Sequence, residues 1–117
     1  MTVKNFLELP LHGEIIHEGV GLCPHTTVFD DAEIDSPVKF VNYTILPPNC
    51  TFGMHMHENN NEFYVVLSGE GEYLQGDEKC SVKKGSIMMN APYTAHGIVN
   101  TGSEDLALLV FEVEINT

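Results

Sequence analysis

With 117 residues, 43% of them hydrophobic and 19% charged, the chain has material for one globular domain with a modest core and none for a second. Seventeen acidic residues against five basic ones give a net charge of -12, which excludes ordinary binding to a phosphate backbone and argues against adsorption to anionic membranes. Every basic residue is a lysine (Lys4, Lys39, Lys79, Lys83 and Lys84), so bidentate arginine clamps on carboxylate or phosphate are missing.

No apolar run approaches the roughly 20 residues that cross a bilayer. The first residues, MTVKNFLELPLHGE, lack the basic-then-apolar pattern of a signal peptide, and a cytoplasmic protein is expected. Cys23, Cys50 and Cys80 are scattered and odd in number, which reads as reduced thiols.

In chain order, residues 1–36 are the least regular part. Pro10, Gly13, Gly19, Gly21 and Pro24 interrupt short apolar pieces such as Glu14-Ile15-Ile16 and Thr27-Val28-Phe29, predicting an N-terminal arm with one or two short strands. The acidic run Asp30 to Asp35 reads as a solvated turn. From Val38 the character changes. Val38 to Leu46 is β-branched and aromatic and is closed by Pro47-Pro48. A bent strand pair is predicted over 62–75 around Gly69-Glu70-Gly71, then a hairpin turn at 76–79 and a strand at Cys80-Ser81-Val82. Ser86 to Met89, Ala95 to Val99 and Leu106 to Glu114 complete a series of short strands with a turn signal every eight to twelve residues. That spacing predicts an all-β sandwich or barrel, over residues 38–114. The last strand, LALLVFEV, is apolar on both faces and needs cover on both, for which a second subunit is one source.

The chemistry concentrates in Gly53 to Gly71. His55 and His57 lie two apart, so on an extended strand both imidazoles face one way. Met54 and Met56 then alternate onto the opposite, packed face. HENNNE comes next as a polar loop, and Glu62 opens the next strand at the same end as the histidines. Two imidazoles and a carboxylate from neighbouring strands suit a first-row transition metal with open positions. Glu58 is the rival carboxylate, but directly after His57 it faces away on a continuing strand. A further candidate, His96, stands in NAPYTAHGIVN. Tyr64 and Val66 share the parity of Glu62 and line the interior, Val66 as plain core. Tyr43, Phe52, Met88 and Tyr93 are either core or pocket wall. His12, His17 and His25 read as surface or packing histidines, with His12 and His25 worth watching where the arm crosses a barrel mouth. Ser68 and Ser86 have no base beside them in sequence, and a hydrolytic carboxylate pair has only the abundance of glutamate behind it.

These residues resemble two motifs of the cupins. His55, His57, Glu62 and Gly69 stand at the spacings of the first, while Gly53 lies too close to the histidines for that motif's leading glycine, whose usual place is taken by Pro47-Pro48-Asn49. Gly85, His96 and Asn100 fit the second motif. Pro92 falls one place late in it, and Tyr93-Thr94 replaces the usual glycine. The resemblance implies a double-stranded β-helix, or jelly-roll, barrel. In its mouth His55, His57, Glu62 and His96 would hold one divalent transition metal (Mn, Fe, Ni, Co or Zn). Tyr64, Asn42, Tyr93 and Asn100, with His12 or His25, are the expected polar lining of a pocket for a small oxygen-bearing ligand. Two functions stay open: a metalloenzyme of dioxygenase, decarboxylase or isomerase type acting on a small acid or sugar, and a non-catalytic binding or storage module. A homodimer is expected, with the arm and one sheet in the contact.

Overall fold

The computed structural model describes residues 1–115, and among them every regular element is a β-strand. The strands are β1 (His12–Glu14), β2 (Cys23–Phe29), β3 (Val38–Leu46), β4 (Thr51–Met56), β5 (Asn60–Ser68), β6 (Glu70–Gln75), β7 (Glu78–Lys83), β8 (Ile87–Asn90), β9 (Ala95–Val99) and β10 (Leu106–Glu114). They form two antiparallel sheets, in the orders β1-β2-β3-β10-β5-β8 and β4-β9-β6-β7. The barrel expected from the strand spacing is present, and β3, β9 and β10 keep their expected bounds.

Period-2 alternation explains which residues fill it. Leu46, Leu106, Leu108, Val110, Val66, Tyr64 and Met88 face inward from the large sheet, and Phe52, Ile98, Tyr73 and Val82 from the small one. The outer face of the large sheet carries a second cluster around Val28, Tyr43 and Ala107, with Leu109 and Val41 against it. The arm supplies its lid. Phe6 packs on Tyr43 with ring centroids 4.7 Å apart, and Leu9 joins the same cluster. Lys4 fixes this segment, its ammonium lying 4.7 Å above the Phe29 ring and donating to the Val28 carbonyl at 2.7 Å and to Glu33 at 2.6 Å. The two-sided hydrophobicity of β10 is therefore met, at this end of the sheet, by the chain's own arm rather than by another subunit.

Other local expectations shift. β1 starts at His12, two residues before the piece expected there, because its partners are Cys23 to His25. The HENNNE loop is shorter than its composition suggests, since Asn60 and Asn61 already pair with β10. Glu78 and Lys79 pair across the β6–β7 hairpin, leaving only Gly76-Asp77 as its turn. β8 runs one residue later than expected and so includes Asn90. Met54 and Met56 face outward, but onto an uncovered surface, 47% and 56% exposed. Gly69 is required at the β5–β6 bend: its φ is +86°, and a Cβ there would lie 2.3 Å from the Asp105 carbonyl oxygen.

Candidate metal centre and cavity

Strand parity alone does not bring the histidines inside, because Phe52 and His55 differ in parity and yet both face the interior. A β-bulge reconciles them. Phe52 pairs with Ile98 and His55 with His96, so three steps on β4 match two on β9. The extra residue falls at Gly53-Met54 and re-aims His55 and His57 inward. Gly53 is required there for a second reason, since a Cβ would lie 2.0 Å from the His17 carbonyl oxygen. The arm crosses β4 at that point: Gly53 N donates to Ile16 O at 3.2 Å, Thr51 N to Val20 O at 2.9 Å, and Val20 N to Thr51 Oγ1 at 2.8 Å.

The four residues expected as a cluster do meet. Glu62 Oε1 lies 3.0 Å from His96 Nε2, 3.2 Å from His57 Nε2 and 3.6 Å from His55 Nε2, and one ligand atom from each residue falls within 4.8 Å of the others. The outward ring nitrogens are committed elsewhere. His55 Nδ1 is 2.8 Å from the Gly53 carbonyl and His96 Nδ1 is 3.2 Å from that of Thr94, while His57 Nδ1 faces Glu112 Oε1 at 3.7 Å. Two carbonyl acceptors so placed fix Nδ1 as the protonated nitrogen of His55 and His96, which leaves Nε2 with its lone pair aimed inward. The Nε2 atoms of His55 and His57 are buried and have no hydrogen-bond partner. Buried polar atoms without partners are costly, and a cation at this point would satisfy both. Three imidazole nitrogens and one carboxylate oxygen fit a single divalent transition metal with open positions. Glu58 is exposed on the turn and takes no part.

Electrostatics agree with a cation-seeking site. Burial acts to raise the Glu62 carboxyl, but the three imidazoles of His55, His57 and His96 around it outweigh burial and hold the group well below the ordinary carboxylate range. The adjacent Glu62 carboxylate raises His57. Tyr64 is held protonated, pushed well above its usual value by burial and then by the Glu62 charge.

A cavity of about 340 Å³ opens beside the cluster. Of the expected lining, Tyr64 and Asn42 are there, as is His25 from the arm, while His12 is not. Tyr93 and Asn100 do not line it. Tyr93 adopts φ +60° on the β8–β9 turn, is 64% exposed, and donates from its hydroxyl to Asn59 Oδ1 at 3.2 Å. Asn100 is a buried clamp whose Nδ2 donates to the Leu46 and Glu104 carbonyls at 2.8 and 2.7 Å and whose Oδ1 accepts from Gly102 N at 2.9 Å. Phe52 is pocket wall, whereas Tyr43 and Met88 belong to the two cores.

Three residues near the site escape sequence reasoning. His17, with φ +50°, stacks on His55 at a centroid separation of 3.4 Å; burial, and then the neighbouring His55, take it down to about 4. Only the arm's path over Gly53 puts it there, and no local motif signals that path. Glu112 and Asn90 flank Glu62 across the sheet, paired with it on β10 and β8 respectively. Both side chains are buried, and Tyr73 donates its hydroxyl to Asn90. A glutamate at an inward position of an otherwise apolar strand was the available signal for Glu112.

A family model described as a cupin domain matches residues 42–112. The chain is similar to an oxalate-binding protein of Thermotoga maritima, 36% identical over 64 residues, which is 55% of this chain and 53% of that one. An uncharacterized protein of Methanocaldococcus jannaschii is 35% identical over 65 residues, 56% of this chain and 52% of that one. The matches thus span about half the length of these curated relatives. Among solved structures, a predicted oxalate decarboxylase of Thermotoga maritima superposes with a TM-score of 0.93 at 23% identity, covering 97% of this chain and all of the other. At that identity the likeness is one of fold.

Proposed function

Because the chain belongs to the cupin family, we propose that it is a metal-dependent enzyme acting on a small oxygen-bearing molecule that chelates a metal held by His55, His57, Glu62 and His96. The observation that carries this reading is the convergence of three Nε2 atoms on Glu62 Oε1, two of them buried without a partner. The metal would supply Lewis-acid polarisation and a template for two ligand oxygens. The protein's own part would fall to the groups around it. Tyr64 and Phe52 shape the wall, and the barrel excludes water behind them.

Glu112 favours an enzyme over a passive binder. It is buried beside the cluster, and burial raises its carboxyl from the ordinary value. A carboxyl so placed suits exchange of a proton with a ligand held at the cluster. The alternative, a binding or storage module, draws its support from the oxalate-binding name of one relative. A panel of 2-hydroxy acids, 2-oxo acids and sugars incubated with metal-loaded protein, with and without air, separates them. Turnover that needs metal and falls at least about 100-fold in Glu112→Gln supports the enzyme; binding without conversion of any compound supports the store. We further propose a homodimer, to which the exposed Leu11, Ile15, Val20 and Leu22 of the arm are suited, and a reducing, cytoplasmic setting, to which the three free cysteines are suited.

A further inference from the structure

The cavity beside the cluster is acidic. Glu62, Glu112 and Glu14 all line it, and no lysine does. Glu112, 6% exposed, has His57 Nδ1 as its near neighbour at 3.7 Å, beyond a hydrogen bond. Asn42 Oδ1 is buried and has no partner. At the far end stands His25, one ring nitrogen of which is engaged. His25 Nδ1 lies 2.7 Å from Thr44 Oγ1, and its Nε2 faces Glu14 Oε2 at 3.9 Å. Lys39 acts on Glu112 and His57 through space, but it stands at an exposed position outside the lining.

A cavity with unmet acceptors and no cation discriminates by what it lacks. We propose that it selects, at the end of the ligand remote from the metal, an uncharged or cationic hydrogen-bond donor such as a hydroxyl or an ammonium, and rejects a second carboxylate. The inference rests on the metal reading above and names the ligand class for that site. A donor reaching Glu112 or Asn42 satisfies a group that is otherwise desolvated and unpaired. A carboxylate in the same place would face Glu112 and Glu14, with no lysine in the lining to offset the repulsion. The volume, about 340 Å³, is at the small end for ligand sites and limits the ligand to a compact molecule.

Calorimetric titration of zinc-loaded protein with four probes that share one α-hydroxycarboxylate head tests this. Lactate ends in a methyl group, glycerate in a hydroxyl, isoserine in an ammonium and malate in a carboxylate. Glycerate and isoserine are expected to bind at least about fivefold tighter than lactate, and malate at least about tenfold weaker. Glu112→Gln should narrow the lactate–malate gap by about fivefold with zinc content unchanged. Glu14→Gln, on an exposed strand, makes the same comparison if the buried variant does not fold. Malate binding as tightly as glycerate, or a gap that neither variant narrows, overturns the inference. Zinc bound at one equivalent with no probe binding also overturns it, and leaves the metal site standing. Protein that takes up no zinc overturns both.

Discussion

At the scale of residues, metal binding turns on which nitrogen each imidazole points inward. Backbone carbonyls of Gly53 and Thr94 face the outward nitrogens of His55 and His96. His17 is different, because it reaches the site only while the arm is docked. Its docked form titrates near 4, whereas a released histidine titrates near about 6.5. A group whose folded value is depressed below its free value favours the docked state fully above the free value, and that preference is lost as pH falls from about 6.5 toward 4. In metal-free protein, exchange protection of the Gly19 and Val20 amides, corrected for intrinsic rate, should therefore be lower at pH 5 than at pH 7. Equal protection at both would separate His17 from the docking of the arm. The four candidate ligands were legible in the sequence, His55, His57 and Glu62 through their spacing and His96 through its distances from Gly85 and Asn100 in the second cupin motif. His17 and Glu112 were not, since one depends on the path of an irregular arm and the other on the register of β10 against β5.

At the scale of elements, the bulge in β4 does the aiming, and the arm is built around it. Strand parity puts His55 and His57 on one face correctly, yet it misjudges Met54 and Met56, because nothing packs over the outer face of β4 at those positions. Strand bounds were legible where β-branched runs end at proline or glycine, as in β3. They blurred where polar residues pair in a ladder, as Asn60 and Asn61 do. Gly53→Ala tests the crossing. The added Cβ meets the His17 carbonyl at 2.0 Å, so the arm must lift or β4 must shift. A loss of about 1–3 kcal/mol in stability is expected by chemical denaturation, with faster proteolysis between residues 15 and 22. A variant as stable and as protease-resistant as the parent would show that the arm does not need this glycine.

At the scale of the whole molecule, the barrel has a core that is independent of the cluster. Leu46, Leu106 and Leu108 are fully buried on β3 and β10, which pair in the large sheet, and Ile98 is fully buried on β9 of the small one. Metal-free protein is accordingly expected to keep a β-sheet circular dichroism spectrum and a cooperative melt; a random-coil spectrum would mean that the metal is needed for folding. The dimer belongs to this scale as well. The arm covers part of the large sheet, so the need for a partner is weaker than the apolar last strand suggested, and the case now rests on the exposed apolar residues of β1 and its flanks. Light scattering at micromolar concentration should give twice the 13.0 kDa of one chain; a mass near one chain would refute it.

Both the proposed chemistry and the proposed selectivity require that the three imidazoles and Glu62 hold a metal, and elemental analysis of protein purified without chelator measures it directly. Close to one equivalent of a first-row transition metal per chain is expected, falling to a small fraction in the double variant His55→Ala, His57→Ala. The parent's affinity should weaken as pH drops below about 6, where protons compete for the imidazoles. Full occupancy in the double variant, or a parent protein that takes up no metal when offered it at neutral pH, would contradict metal binding at this cluster.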